Sequence, residues 1–336
     1  MKKKLNTNAL ILAGVGLVAL LVMYIVVPKL SSVYLMTVLN GAIIFYVACL
    51  GITVMLGMGG MVSFATISFM GIGAYASANL SLKLGVSSLV SMLGAIVTSM
   101  LFAFVIGAIL LRLNGTFFTF STVALVQISY SIFTNWKEVT GGPDGMGGIS
   151  TFEFFGVKAV KPTENYMVLL TIGILCALFV LRLKKTNLGR SLSSVRDNEI
   201  AAKIMGVNVY RTKLAAFVIA AALAGLAGAM LVHNYHFVAA TSFTFDQSTT
   251  FVIMAMLGGV SNPFGVFLGT VLITMLPEWL KPLQEYIRLV YGLGVMLLMV
   301  FMPMGLWGLI TGWVKKFKQK FKLGHKTVVG TESKEG

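Results

Sequence analysis

Apolar stretches of about 20 residues, recurring along the whole chain with hardly a charge inside them, constrain this sequence more than anything else in it. A helix of that length crosses a hydrocarbon core roughly 30 Å thick and pairs every backbone N–H and C=O internally. Composition agrees. Of the 336 residues, 57% are hydrophobic and only 11% charged, against roughly 25% charged in a soluble domain. The expected fold is an all-α polytopic membrane protein.

About ten spans are expected on length and hydropathy. They cover residues 9–27, 33–56, 61–80, 88–111, 117–134, 166–183, 214–232, 245–260, 265–277 and 289–310. The first is too long for a signal-peptide core and is followed by Pro28-Lys29 rather than a cleavage site, so it reads as retained. The third, rich in Ser, Thr, Ala and Gly, and the short eighth would be the places for a re-entrant segment. Both termini then lie on one side. With the basic N-terminus, the loop around 189–213 and the lysine-rich tail placed in the cytosol, acids and bases on the outer side cancel. The whole formal charge of +15 falls inside, as the positive-inside tendency requires. That distribution suits a lipid surface and gives no reason to expect nucleic acid.

The densest polar chemistry lies at 189–213, GRSLSSVRDNEIAAKIMGVNVYRTK. Asp197, Asn198 and Glu199 suit the start of a short helix, where side chains cap free N–H groups and acids face the positive end of the dipole. Ile200, Ala201, Ile204 and Met205 then share one stripe, and Gly206 is a natural stop. On pattern alone this is equally an ordinary basic loop carrying a surface helix. Ile200-Ala201-Ala202, three residues and Gly206 resemble the EAA loop of ABC importer permeases, with Ile in place of the motif's Glu. The longer run from 189 to 226 resembles the LivM type of branched-chain amino acid permease. So do two other stretches: the TGGxxG run at 140–145 and MLGGVSNPFGVFLGTVL at 256–272.

The resemblance implies an importer half-channel. It would work with a homologous permease of LivH type, two ATP-binding subunits and an extracytoplasmic substrate-binding protein, in a prokaryotic cell membrane. Arg196, Asp197, Glu199, Ala201, Ala202 and Gly206 would form the ATPase contact. Gly141, Gly142, Asp144 and Gly145 would belong to the outer loop. The implied division is a cytosolic N-terminus (1–8), a permease domain (9–310) with an outer loop (135–165) and a cytosolic coupling loop (184–213), and a basic tail (311–336). The implied substrate is leucine, isoleucine or valine. Urea and short-amide permeases look similar across the same motifs, so the substrate stays open at that level.

The residues bear on the mechanism independently. No Gly-Lys pair exists, hence no GxxxxGK[ST] phosphate loop, and ATP is expected on partner subunits with no cofactor in this chain. No Lys, Arg, Asp or Glu is expected in the middle of a span, which argues against an ion-coupled secondary carrier and against a membrane enzyme. No catalytic residue is therefore assigned. Cys49 and Cys176 sit in apolar segments, and His233 and His236 lack an acid or thiol cluster, so no metal site is expected. The third span is rich in Ser, Thr, Ala and Gly, which suits tight packing at least as well as a pathway. Ser63, Thr66, Ser68 and, in the fifth span, Gln127 are the candidates for lining a path.

Overall fold

The computed structural model describes residues 32–113, 115–154, 157–159 and 161–279, with fragments at 292–293, 296 and 305–308. The expected N-terminus, first span and basic tail lie outside these residues, and the tenth span lies largely outside them. In chain order the helices are α1 (Val33–Ile52, prolonged by a π-helical turn, Thr53–Met58), α2 (Thr66–Leu84), α3 (Ser88–Leu110), α4 (Thr116–Asn135), α5 (Pro162–Leu183), α6 (Asn187–Asp197), α7 (Glu199–Ile204), α8 (Val209–Tyr235), α9 (Phe245–Gly258) and α10 (Pro263–Trp279). Among the described residues five segments are long and apolar enough to cross a membrane: α1 with its π turn, α3, α4, α5 and α8. Two small antiparallel pairs sit at the end opposite the basic loop. β1 (Met146–Gly147) joins β4 (Phe237–Val238), and β2 (Phe152–Phe154) joins β3 (Val157–Ala159). The end carrying the basic α6–α7 segment is the cytosolic one by the positive-inside tendency.

The centre of the bundle is α8, which packs on α2, α3 and α1. Its small residues make this possible. A Cβ at Gly225 would collide with Ser99 on α3, one at Gly73 of α2 with the backbone of Gly225, and one at Gly228 with the carbonyl of Met70. Helices without a hydrophobic force to join them gain from such close dispersion contact. Gly225 thus marks a junction of α8 with α2 and α3.

The third and eighth spans are composite. Helix α2 begins only at Thr66, and residues 60–65 carry no helix. Helix α9 has 14 residues, about 21 Å of rise, too short alone for a core of roughly 30 Å. Non-helical backbone inside a membrane is tolerated only where protein satisfies it. Here hydroxyls do so. Thr119 Oγ1 donates to Val62 O (3.1 Å), Thr122 Oγ1 accepts from Phe64 N (3.1 Å), Ser248 Oγ donates to Phe64 O (2.5 Å) and Ser63 Oγ accepts from Ala65 N (3.2 Å). Thr122 also bonds within its own helix, to Thr119 O at 2.7 Å.

The outer loop is stapled by His233, which is fully buried near the outer end of α8. Its Nδ1 lies 2.7 Å from Ser150 O and must donate, since a carbonyl only accepts. Its Nε2 lies 3.0 Å from the Ser77 hydroxyl and 2.8 Å from that of Ser91. One ring thereby ties the loop to α2, α3 and α8. Ser88 adds a second tie, exchanging bonds with the N–H and C=O of Glu153 at 2.8 and 3.0 Å.

Two outcomes are expected. Gly225→Val overpacks the junction and lowers stability by about 1–3 kcal/mol, read as a lower Tm in detergent, whereas Ala124→Val on the exposed face of α4 leaves Tm unchanged. His233→Ala leaves several polar groups without partners, at about 1–3 kcal/mol each, and speeds hydrogen exchange across residues 146–153.

Candidate translocation and coupling site

The π turn that ends α1 runs into Gly57-Met58-Gly59-Gly60. A side chain at Gly57 would strike the carbonyl of Val260, and one at Gly60 (φ 68°) would strike Arg196. Glycine therefore lets two cytosolic loops close on the end of α1. Arg196 fills the approach: its Nη1 donates to Gly57 O at 2.7 Å, while Nε and Nη2 hold Asp197 Oδ1 at 3.0 and 2.9 Å.

The loop after α5 is more ordered than its sequence pattern suggested. It contains two capped helices rather than one. Thr186 caps α6 through Gly189 N (3.3 Å), and α6 buries Leu192 and Val195. Asp197 ends α6 instead of starting the next helix. Asn198 is the cap of α7, accepting from Ala201 N at 3.0 Å, and Gly206 at φ 84° terminates the segment. Glu199 pairs with Lys213 of α8 at 2.7 Å.

Within α7 the apolar residues divide. Ala202 is 3% exposed and seats the helix on its own chain. Ile200, Ile204 and Met205 are 74%, 80% and 83% exposed and point away from it. Three large apolar side chains held in water by a capped helix are costly unless a partner covers them. The stripe expected from the sequence, Ile200, Ala201, Ile204 and Met205, faces outward as a whole, and the buried Ala202 lies outside it.

Beside this segment is a cavity of about 490 Å³. Its walls include Gly60, Met61, Thr119, Arg196, Glu199 and Lys213, so α6 and α7 touch the mouth of the crossing at 60–65. Further in, Phe64 stacks near Phe245 with centroids 5.6 Å apart.

Each expected site residue can now be placed. Arg196, Asp197, Glu199, Ala201, Ala202 and Gly206 come together at the cytosolic end, with Ala202 buried and Ala201 exposed. Ser63, Thr66 and Ser68 lie inside the protein at 6%, 6% and 1% exposure, and the Ser68 hydroxyl has no partner among the described residues. Gln127 stands on the exposed face of α4. Gly141, Gly142 and Gly145 carry positive φ (74°, 66°, 72°) at the outer end, with Asp144 exposed between them. These are three separate zones. The fixing of the crossing by Thr119, Thr122 and Ser248 could not be read from spacing, because those residues come from two helices far apart in sequence and meet only at the segment 60–65.

Comparison with known proteins bears on the chain as a whole. The family model described as branched-chain amino acid transport system / permease component matches residues 34–303. The high-affinity branched-chain amino acid transport system permease protein LivM of Salmonella typhimurium is 32% identical over 314 residues, covering 86% of this chain and 74% of that protein. LivM of Escherichia coli is 31% identical with the same coverage. The L-arabinose transport system permease protein AraH of Escherichia coli is 29% identical over 209 residues, 57% of this chain and 58% of its own. No solved structure matches the chain. On this match and on its helical, membrane-crossing architecture, the chain belongs to the family of branched-chain amino acid transport system permease components.

Proposed function

We propose that the chain is one membrane-spanning half of an ATP-driven importer for leucine, isoleucine and valine, embedded in the cell membrane of a prokaryote. A homologous permease of LivH type completes the channel. Two ATP-binding subunits supply the energy and an extracytoplasmic binding protein delivers the substrate. The observation that carries this reading is the capped, outward-facing apolar face of α7 joined through Arg196 to the membrane crossing. It provides a route by which a cytosolic motor moves a path that lacks an ATPase motif of its own.

The roles follow from position. Ile200, Ala201, Ile204 and Met205 meet the ATPase, and Asp197, Glu199, Ala202 and Gly206 hold that surface in place. Arg196 passes displacement to Gly57 and so to the segment 60–65. Gln127 faces the path, with Ser63, Thr66 and Ser68 in and behind the crossing. Gly141, Gly142, Asp144 and Gly145 shape the surface that receives the binding protein. The arabinose relative keeps a second reading in view, a permease for another small polar solute.

Reconstitution in liposomes with the partner subunits decides between them. Labelled leucine uptake is expected to require internal ATP and to be competed by isoleucine and valine. Stimulation of ATP hydrolysis by a sugar-loaded binding protein, without leucine uptake, would overturn the substrate. Changing Ile200, Ile204 and Met205 together to Ser is expected to release the ATPase on co-purification. Ala202→Trp unseats α7 and abolishes uptake while the permease still inserts. Arg196→Ala is expected to lower uptake about tenfold through loss of a charge-assisted bond. Uptake at the parent rate in that variant would remove Arg196 from the coupling route.

A further inference from the structure

One charge in the described bundle has no role in the preceding account. Asp246 lies in the first turn of α9, its side chain exposed on the face of this chain. The expected eighth span, 245–260, opens at Phe245-Asp246 and α9 begins there too, but at 14 residues the helix is too short to reach both surfaces by itself.

Its depth follows from three contacts. The far end of α9, Gly258, packs beside Gly265 next to the Gly57–Val260 contact at the cytosolic end. Asp246 is 12 residues before Gly258, about 18 Å of helical rise. Phe245 and Ser248 both meet Phe64, which in turn bonds Thr122 of α4. Thr122 lies about 9 Å from the inner end of α4 and Gln127 about 17 Å from it. Asp246 and Gln127 therefore stand at about the same height, near the middle of a core roughly 30 Å thick. Both are exposed, on two helices that flank one phenylalanine.

A carboxylate at that depth is expensive and belongs against a partner or a wet path. Among the described residues no basic side chain pairs with it, whereas Asp197 and Glu199 at the cytosolic end are held by Arg196 and Lys213. The neighbouring hydroxyls of Thr249 and Thr250 are turned back to the carbonyls of Phe245 and Asp246. The surroundings match the parts of an apolar amino acid. The carboxylate suits an ammonium, the Gln127 amide can donate to a carboxylate, and the half-buried Phe64–Phe245 pair offers an apolar wall.

We propose that Asp246 is the group on the translocation path that receives the ammonium of an amino acid at mid-membrane. The proposal rests on the amino-acid reading of the substrate. The competing role is purely local: an acid in a first turn stabilises the helix dipole.

The test uses the full transporter in liposomes. In Asp246→Cys the native Cys49 and Cys176 are buried, so a membrane-impermeant thiol reagent reports on position 246. Modification is expected, and about fivefold slower while leucine-loaded binding protein drives turnover. Leucine uptake is expected to fall about tenfold or more in Asp246→Asn and to recover to within about threefold of the parent in Asp246→Glu. No modification in any nucleotide state would place the residue against lipid or in a sealed contact and overturn the proposal. Uptake by Asp246→Asn within about twofold of the parent would leave only the dipole role. Loss of the partner permease from the Asp246→Asn complex on co-purification would make it a subunit contact instead. Modification of Asp246→Cys, where the parent complex takes up no leucine, would overturn the amino acid while keeping the residue on the path.

Discussion

Everything in this fold depends on how a few backbone amides are satisfied away from water. At membrane depth an unpaired N–H or C=O costs several kcal/mol, which normally forces a chain to stay helical from one surface to the other. This chain departs from that rule at residues 60–65 and holds the departure with hydroxyl groups from α4 and α9. Because Thr119, Thr122 and Ser248 act on a segment they are not bonded to in sequence, the crossing records the relative position of two helices. A rigid helix in the same place would record nothing.

The same segment is continuous with the cytosolic machinery. Gly57 and Gly60 allow Arg196 to reach a backbone carbonyl at the end of α1, and the cavity beside them is walled in part by α6 and α7. Surface charge pairs contribute little stability in general, and Arg196–Asp197 is half exposed. Its value lies in position: Asp197 orients the guanidinium that holds Gly57. The apolar face of α7 carries a cost in the isolated chain that only a partner removes, so the exposed Ile204 and Met205 are understood as part of an assembly.

Much of the fold was legible because membrane helices announce themselves by length. The described helices α1, α3, α4 and α5 begin and end within a few residues of the expected spans, and the Gly206 stop and the Asn262-Pro263 break are where backbone chemistry puts them. The rest was read less fully. Helix α6 repeats Leu188, Leu192 and Val195 at helical spacing among Ser, Arg and Gly, a period present in the sequence but taken there as part of a basic loop. The third and eighth spans were singled out as the places for a re-entrant segment, but hydropathy does not show where helix gives way to non-helical backbone. Asp246 was assigned to the outer edge for the same reason: sequence counts residues along the chain, while depth depends on whether each contributes about 1.5 Å or about 3.3 Å of rise. Of the candidate site, the cytosolic cluster was local in sequence and could be found. The His233 staple and the seat of Phe64 are built from residues far apart and could not.

The glycine contacts at the centre carry a mechanical consequence. Between α2 and α8 the backbone of Gly73 rests on that of Gly225, and Gly228 on Met70, with no side chain between to bend or slip. The two helices form a stiff strut. Its lower end begins one turn after α7, at the Asn208 cap, and its upper element starts at Thr66, where the non-helical segment ends. A push of an ångström at the cytosolic surface is thus delivered to mid-membrane almost undiminished, because nothing along the strut is compressible enough to absorb it.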